Sequence, residues 1–126
     1  MRLLALYLSI GAAGSLGTMA RHLVATLCGR LFGAAFPIGT LVINVTGSLF
    51  LGWFLTIIRD KVDVSDTLRL AVAVGFVGGY TTFSTFAYET NALWEDGAGI
   101  KAVSYMLGSL FLGLLAVRVG IWLAAR

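Results

Sequence analysis

The chain has 126 residues, of which 59% are apolar and 12% charged, with a mean hydropathy of +0.94, far from the composition of a soluble domain of this size. Four helical crossings of a ~30 Å hydrocarbon slab would use roughly 80 residues, which leaves short connectors and no room for a separate soluble domain. A sole cysteine, Cys28, excludes an internal disulfide framework or a cysteine-based metal cluster, and a sole histidine, His22, excludes a multi-histidine site. The net charge of +3 is scattered among apolar runs; it reads as charge at membrane ends and not as a nucleic-acid surface.

In chain order, four apolar stretches at about 3–27, 38–58, 68–93 and 102–125 are each long enough to span. Connectors at 29–37, 59–67 and 94–101 divide them. The expected fold is an all-α membrane protein, a single four-helix transmembrane domain over residues 1–126. The first stretch opens like a secretory signal but stays apolar past any plausible cleavage point, so it is read as a helix. An even number of crossings puts Met1, the 59–67 connector and Arg126 on one side. That side carries Arg2, Arg59, Lys61, Arg69 and Arg126 against Arg21, Arg30 and Lys101 opposite, with Arg118 snorkelling toward the terminal side. The bias is modest for such short connectors. Two readings stand: ordinary insertion with the termini in the cytoplasm, or copies inserted both ways and paired head to tail.

Small residues recur at helix-packing spacings: Gly11, Gly14 and Gly17; Ser48 and Gly52; Ser104 and Gly108; Ser109 and Gly113. These are expected seams. Four short helices offer little room for an internal pathway, so an oligomer is expected.

The third stretch contains the string Gly75-Phe76-Val77-Gly78-Gly79-Tyr80-Thr81-Thr82-Phe83-Ser84-Thr85-Phe86, a poor continuous helix. Carbonyls freed by a break cannot face lipid and must be enclosed by protein or lined by water and ions. Those of Gly78 and Thr81 would suit a small hard cation such as Na⁺, although helix flexibility alone also explains paired glycines. The string lacks both GxGxxG and a Walker ending.

Phe83 and Phe86 lie three apart and share a helical face. They are either core, or rings whose electropositive edges favour an anion in a narrow passage. Thr40, Asn44, Gly47 and Ser48 form a polar stripe on the second stretch; the Asn44 amide could glue helices together or donate to a dehydrated anion. Tyr105 and Ser109, one turn apart, could extend a row of donors. Arg21 could draw anions into a vestibule or snorkel to headgroups. Glu89 could relay protons, cap a polar track or pair with a basic residue. No Ser-His-Asp set, paired-carboxylate site or metal-ligand cluster is present, so an enzyme is not expected.

Along its whole length the chain resembles the Fluc fluoride channels, also called the CrcB family. The resemblance is carried by Gly14-Ser15-Leu16-Gly17 with Arg21, by Gly39-Thr40-Leu41-Val42-Ile43-Asn44 with Gly47, and above all by Gly78-Gly79-Tyr80-Thr81-Thr82-Phe83-Ser84-Thr85-Phe86. It implies four transmembrane helices with the third broken, in an antiparallel dual-topology homodimer with two pores in the bacterial plasma membrane. It implies that Phe83 and Phe86 present ring edges to fluoride, that Asn44 donates to it, and that backbone carbonyls of Gly78 and Thr81 hold a structural Na⁺ at the dimer centre. Thr40, Tyr105 and Ser109 fall at polar pore-lining or nearby positions, Glu89 at the acidic pore end, and Arg21 at the basic vestibule. One departure is Gly113 and Val117, where the family's hydroxyl track can continue. The implied activity is passive export of fluoride that enters as HF, dissociates and is trapped.

The main rival is a small multidrug transporter, a proton-coupled exporter of organic cations that needs an acidic residue in its first helix; residues 3–27 contain none. A non-transporting assembly factor would need the packing glycines but would leave the polar string without a purpose.

Overall fold

The structure, a computed structural model, describes residues 2–126. Met1, and the side chain of Arg2 that the charge bias counts on the terminal side, lie outside the described residues. All regular structure among the described residues is helical: α1 (Arg2–Phe32), α2 (Ile38–Asp60), α3 (Asp66–Leu70), a π-helical stretch (Ala71–Val77), α4 (Gly78–Tyr80), α5 (Phe83–Glu95) and α6 (Gly99–Ala125). Among the described residues, four segments are long and apolar enough to cross a membrane: Leu3–Phe32, Ile38–Asp60, Asp66–Glu95 and Gly99–Ala125. The chain is a multi-pass membrane protein. The helices overrun the apolar stretches at several ends, because hydropathy marks the hydrocarbon slab whereas helices continue into the headgroup layer.

Local chemistry explains the ends. Gly33 turns the chain out of α1 at φ +76°, in the left-handed region open to glycine. Pro37 precedes α2. The Ser65 side chain caps α3 by accepting from the Leu68 N–H at 3.2 Å. Beyond α5, the Ala98 N–H donates to the Leu93 carbonyl and the Gly97 N–H to that of Trp94. With Gly97 at φ +73°, this is a Schellman closure, and it makes the turn into α6 short.

Contacts fix the directions. Thr40 meets Glu89, Asn44 meets Thr82 and Phe50 meets Phe76, so α2 runs antiparallel to the third span. Thr40 and Tyr105 share Glu89, Gly113 faces the Ser48 hydroxyl, and Gly52 lies on the Val117 backbone, so α2 and α6 run parallel. Likewise Gly14, Gly17, Gly75 and Gly79 bring α1 and the third span together in parallel. A Cβ on Gly75 would fall 2.6 Å from the Ile10 carbonyl oxygen and one on Gly52 2.5 Å from that of Val117. These two seams are backbone against backbone, the contact that small residues permit in lipid.

Gly14, Gly17 and Gly52 sit in these seams, but Gly11 and Gly108 have nothing within 4 Å, and a Cβ on Gly113 would meet only the Ser48 hydroxyl at 3.9 Å. Small-residue spacing marks a face without naming what covers it. Gly75, Gly79 and Gly120 complete the seams instead. The core is correspondingly made of small side chains around Ile43 and Tyr105, while Leu4, Leu8, Leu110 and Phe111 face outward, as lipid allows.

Candidate functional site

Helical conformation is lost near the middle of the third span, at Thr81 (φ −82°, ψ 159°) and Thr82 (φ −152°, ψ 118°). The glycines do not open: Gly78–Tyr80 stays helical. The two threonines unwind instead, because β-branched residues accept extended backbone and the Thr82 hydroxyl caps the helix that follows. Its Oγ1 accepts from the Thr85 N–H at 3.3 Å and donates to Thr85 Oγ1 at 3.0 Å.

The backbone groups freed here find partners on both flanking helices. From α2, Asn44 Oδ1 accepts the Thr82 N–H at 2.9 Å and Nδ2 donates to the Thr82 carbonyl at 3.1 Å. That N–H would otherwise bond the Gly78 carbonyl four residues back. From α1, Arg21 Nη1 donates to the Thr81 carbonyl at 3.4 Å, and Thr18 Oγ1 lies 3.5 Å from that of Gly79. The half-buried Arg21 side chain thus turns to the break. A cavity of about 260 Å³ opens beside it, lined by Asn44, Gly47, Ser48, Thr81, Thr82 and Phe83 among others.

From the break a row of side chains runs along α5. Phe83, 79% exposed, has its ring centroid 5.7 Å from Phe86, and Phe86 lies 5.2 Å from Tyr105 at 56°. The Tyr105 hydroxyl donates to Glu89 Oε2 at 2.7 Å, and Thr40 Oγ1 donates to Glu89 Oε1 at 2.9 Å. Both carboxylate oxygens are therefore held by hydroxyls, with no basic partner among the described residues. Ser109, one turn beyond Tyr105, has a buried hydroxyl with no hydrogen-bond partner. Gly113 follows it opposite the Ser48 hydroxyl of α2, and the Val117 backbone is spent on Gly52.

The fold thus joins Thr40, Glu89, Tyr105, Phe86 and Phe83 into one continuous row and sets Asn44 and Arg21 on two sides of the break. Sequence reading did not single out Tyr80, whose hydroxyl lies 2.9 Å from Thr46 Oγ1 and whose ring stacks on Phe76 at 6.2 Å, nor the Thr18 contact. It also passed over Phe36, whose ring stands edge-on to Tyr105. Thr82, a hydroxyl residue just before a helical run, was a readable N-cap signal; contacts between distant elements carry none.

A family model described as CrcB-like protein, Camphor Resistance (CrcB), matches residues 8–121. The chain belongs to the CrcB family. The matched region contains every residue of the row and both sides of the break. Among similar CrcB relatives is the "Fluoride-specific ion channel FluC" of Chelativorans sp. (strain BNC1), 45% identical over 111 residues that cover 88% of this chain and 89% of that protein. A protein of the same name from Synechococcus sp. (strain JA-2-3B'a(2-13)) is 40% identical over 116 residues, covering 92% and 88%. The "Fluoride-specific ion channel FluC 2" of Moorella thermoacetica is 43% identical over 119 residues, covering 94% and 95%. An ion channel is not an enzyme, and this CrcB chain is not one.

Proposed function

We infer that this chain is a fluoride channel. The observation that carries the reading is the row Phe83–Phe86–Tyr105 beside the Asn44-clamped break, in a chain similar over nearly its whole length to proteins named for fluoride conduction. Fluoride is small and holds its water tightly, so a path must offer donors as water is shed, without binding so strongly that the ion stays. Ring edges supply weak positive potential. Asn44 supplies a neutral N–H: its oxygen and one amide hydrogen are engaged by Thr82, and the second hydrogen is free. The Tyr105 and Thr40 hydrogens are committed to Glu89, whereas that of Ser109 is uncommitted. With no nucleotide-binding loop, we read conduction as passive, driven out of the cell by a negative membrane potential.

The third span is read as a broken helix, and the assembly as a head-to-tail homodimer. In support, the cavity at the break is lined by the polar residues Asn44, Ser48, Thr81 and Thr82 at the middle of a span, where hydrocarbon cannot hydrogen-bond, and a second copy would cover it. A structural Na⁺ fits the same place. The Gly78 carbonyl loses its helical donor and nothing approaches the open side of that glycine within 4 Å; the Thr81 carbonyl keeps a second lone pair beside Arg21. Two carbonyls are too few for a hard cation, so both copies would contribute theirs. Bound there, Na⁺ would supply a fixed positive charge beside the break.

Purified protein in liposomes with a K⁺ gradient tests the reading. Valinomycin should release fluoride, read by an electrode, without chloride. Fluoride-tight vesicles, or proton-driven export of a cationic dye, would overturn it.

A further inference from the structure

The α1–α2 connector places one side chain against the polar row. Pro37 has φ −78° and ψ 60°, and the Ile38 N–H donates to the Phe36 carbonyl at 2.8 Å, an inverse γ-turn. That turn pins the backbone of Phe36 just before α2 carries Thr40 into the site. The Phe36 ring meets Tyr105 edge to face, with centroids 5.5 Å apart and planes at 81°. Tyr105 is 1% exposed; Phe86 also packs on it at 5.2 Å, and its hydroxyl is 2.7 Å from Glu89. Phe36 further lines, with Thr40 and Glu89, a cavity of about 310 Å³. Phe36 thus touches both the buried Tyr105 ring and this cavity, and a smaller side chain at this position would open the cavity toward Tyr105.

We propose that Phe36 is a positioning residue for conduction: with Phe86 it holds the Tyr105 ring at the angle where the hydroxyl engages Glu89. Without the edge contact the ring rotates toward the cavity. One carboxylate oxygen then loses its donor and presents uncompensated negative charge to an arriving anion. The proposal rests on the fluoride-channel reading.

A double-mutant cycle on liposome fluoride efflux tests it, using wild type, Phe36→Leu, Tyr105→Phe and the double variant, with Phe36→Tyr as the conservative replacement. Phe36→Leu should lower efflux about three- to tenfold, the scale of one aromatic contact, and Phe36→Tyr should restore it. In the Tyr105→Phe background, where no hydroxyl is left to orient, Phe36→Leu should change efflux by less than about twofold. A merely structural loss would instead multiply with that of Tyr105→Phe, and that result overturns the proposal, as would wild-type efflux in Phe36→Leu or no recovery in Phe36→Tyr. If Phe36→Leu fails to assemble, Phe36→Met takes its place in the cycle. Fluoride-tight wild-type vesicles would overturn the channel reading as well, which separates the two failures.

Discussion

Asn44 and Thr82 exchange two hydrogen bonds across the break, amide to carbonyl at 3.1 Å and backbone N–H to amide oxygen at 2.9 Å. The side chain pairs with an extended residue as a neighbouring strand would, so it both satisfies the opened backbone and fixes which amide hydrogen is left over. Asn44→Asp should keep the acceptor but set a carboxylate against the Thr82 carbonyl. The expected outcome is a loss of about 1–3 kcal/mol in stability together with fluoride efflux. Thermal unfolding in detergent and liposome efflux check it; a variant that unfolds and conducts like wild type would remove the clamp.

Phe83 and Phe86 differ in surroundings although they touch. Phe83 is 79% exposed, whereas Phe86 rests on Tyr105. Phe83→Ile and Phe86→Ile should each suppress fluoride efflux about tenfold or more if ring edges stabilise the ion. Stability should separate them: Phe86→Ile should cost about 1 kcal/mol through the lost ring contact, and Phe83→Ile under about 0.5 kcal/mol. Efflux and melting curves on the same preparations decide.

Much of this site was legible because lipid simplifies the code. A polar side chain or a glycine pair in an apolar run needs a reason, and Asn44, Glu89 and the string from Gly78 to Phe86 were found that way. Local propensity marks the whole string as a poor helix, through its glycines and its hydroxyl residues alike, and does not place the opening within it. In the fold, α1 packs on Gly75 and Gly79 backbone to backbone and holds that stretch helical, so unwinding falls on the threonines. The Arg21–Thr81 and Phe36–Tyr105 contacts join elements far apart in the chain, and nothing in local spacing encodes them. Glu89 was open to a basic partner, yet the fold gives it two hydroxyls.

The glycines divide by what lies over them. A methyl group on Gly17 would run into the Phe76 backbone, and one on Gly79 into that of Gly14; neither neighbour is a side chain that can swing away. Gly17→Ala and Gly79→Ala should each destabilise by about 1–3 kcal/mol through overpacking. Gly29 is also helical but has open space around it, so Gly29→Ala should be neutral or stabilise by up to about 1 kcal/mol. Melting temperatures of the three variants are the measurement. Equal effects at all three would mean that the parallel seam between α1 and the third span is not where these glycines act.

Glu89 holds the far end of the row through two hydroxyls that have little else to bond. Thr40 is 5% and Tyr105 1% exposed, and each donates to a different carboxylate oxygen. Glu89→Ala would leave both hydroxyls buried without that acceptor, so it should destabilise by about 2 kcal/mol or more and reduce fluoride efflux as Tyr105 loses its anchor. Glu89→Gln keeps one acceptor and offers an N–H that either hydroxyl oxygen can accept; it should recover most of the lost stability. A Gln variant as unstable as the Ala variant would mean that the charge, and not hydrogen bonding, holds this end together. Unfolding midpoints for wild type and the two variants distinguish these outcomes, and efflux from the same preparations reads whether Tyr105 is still in place.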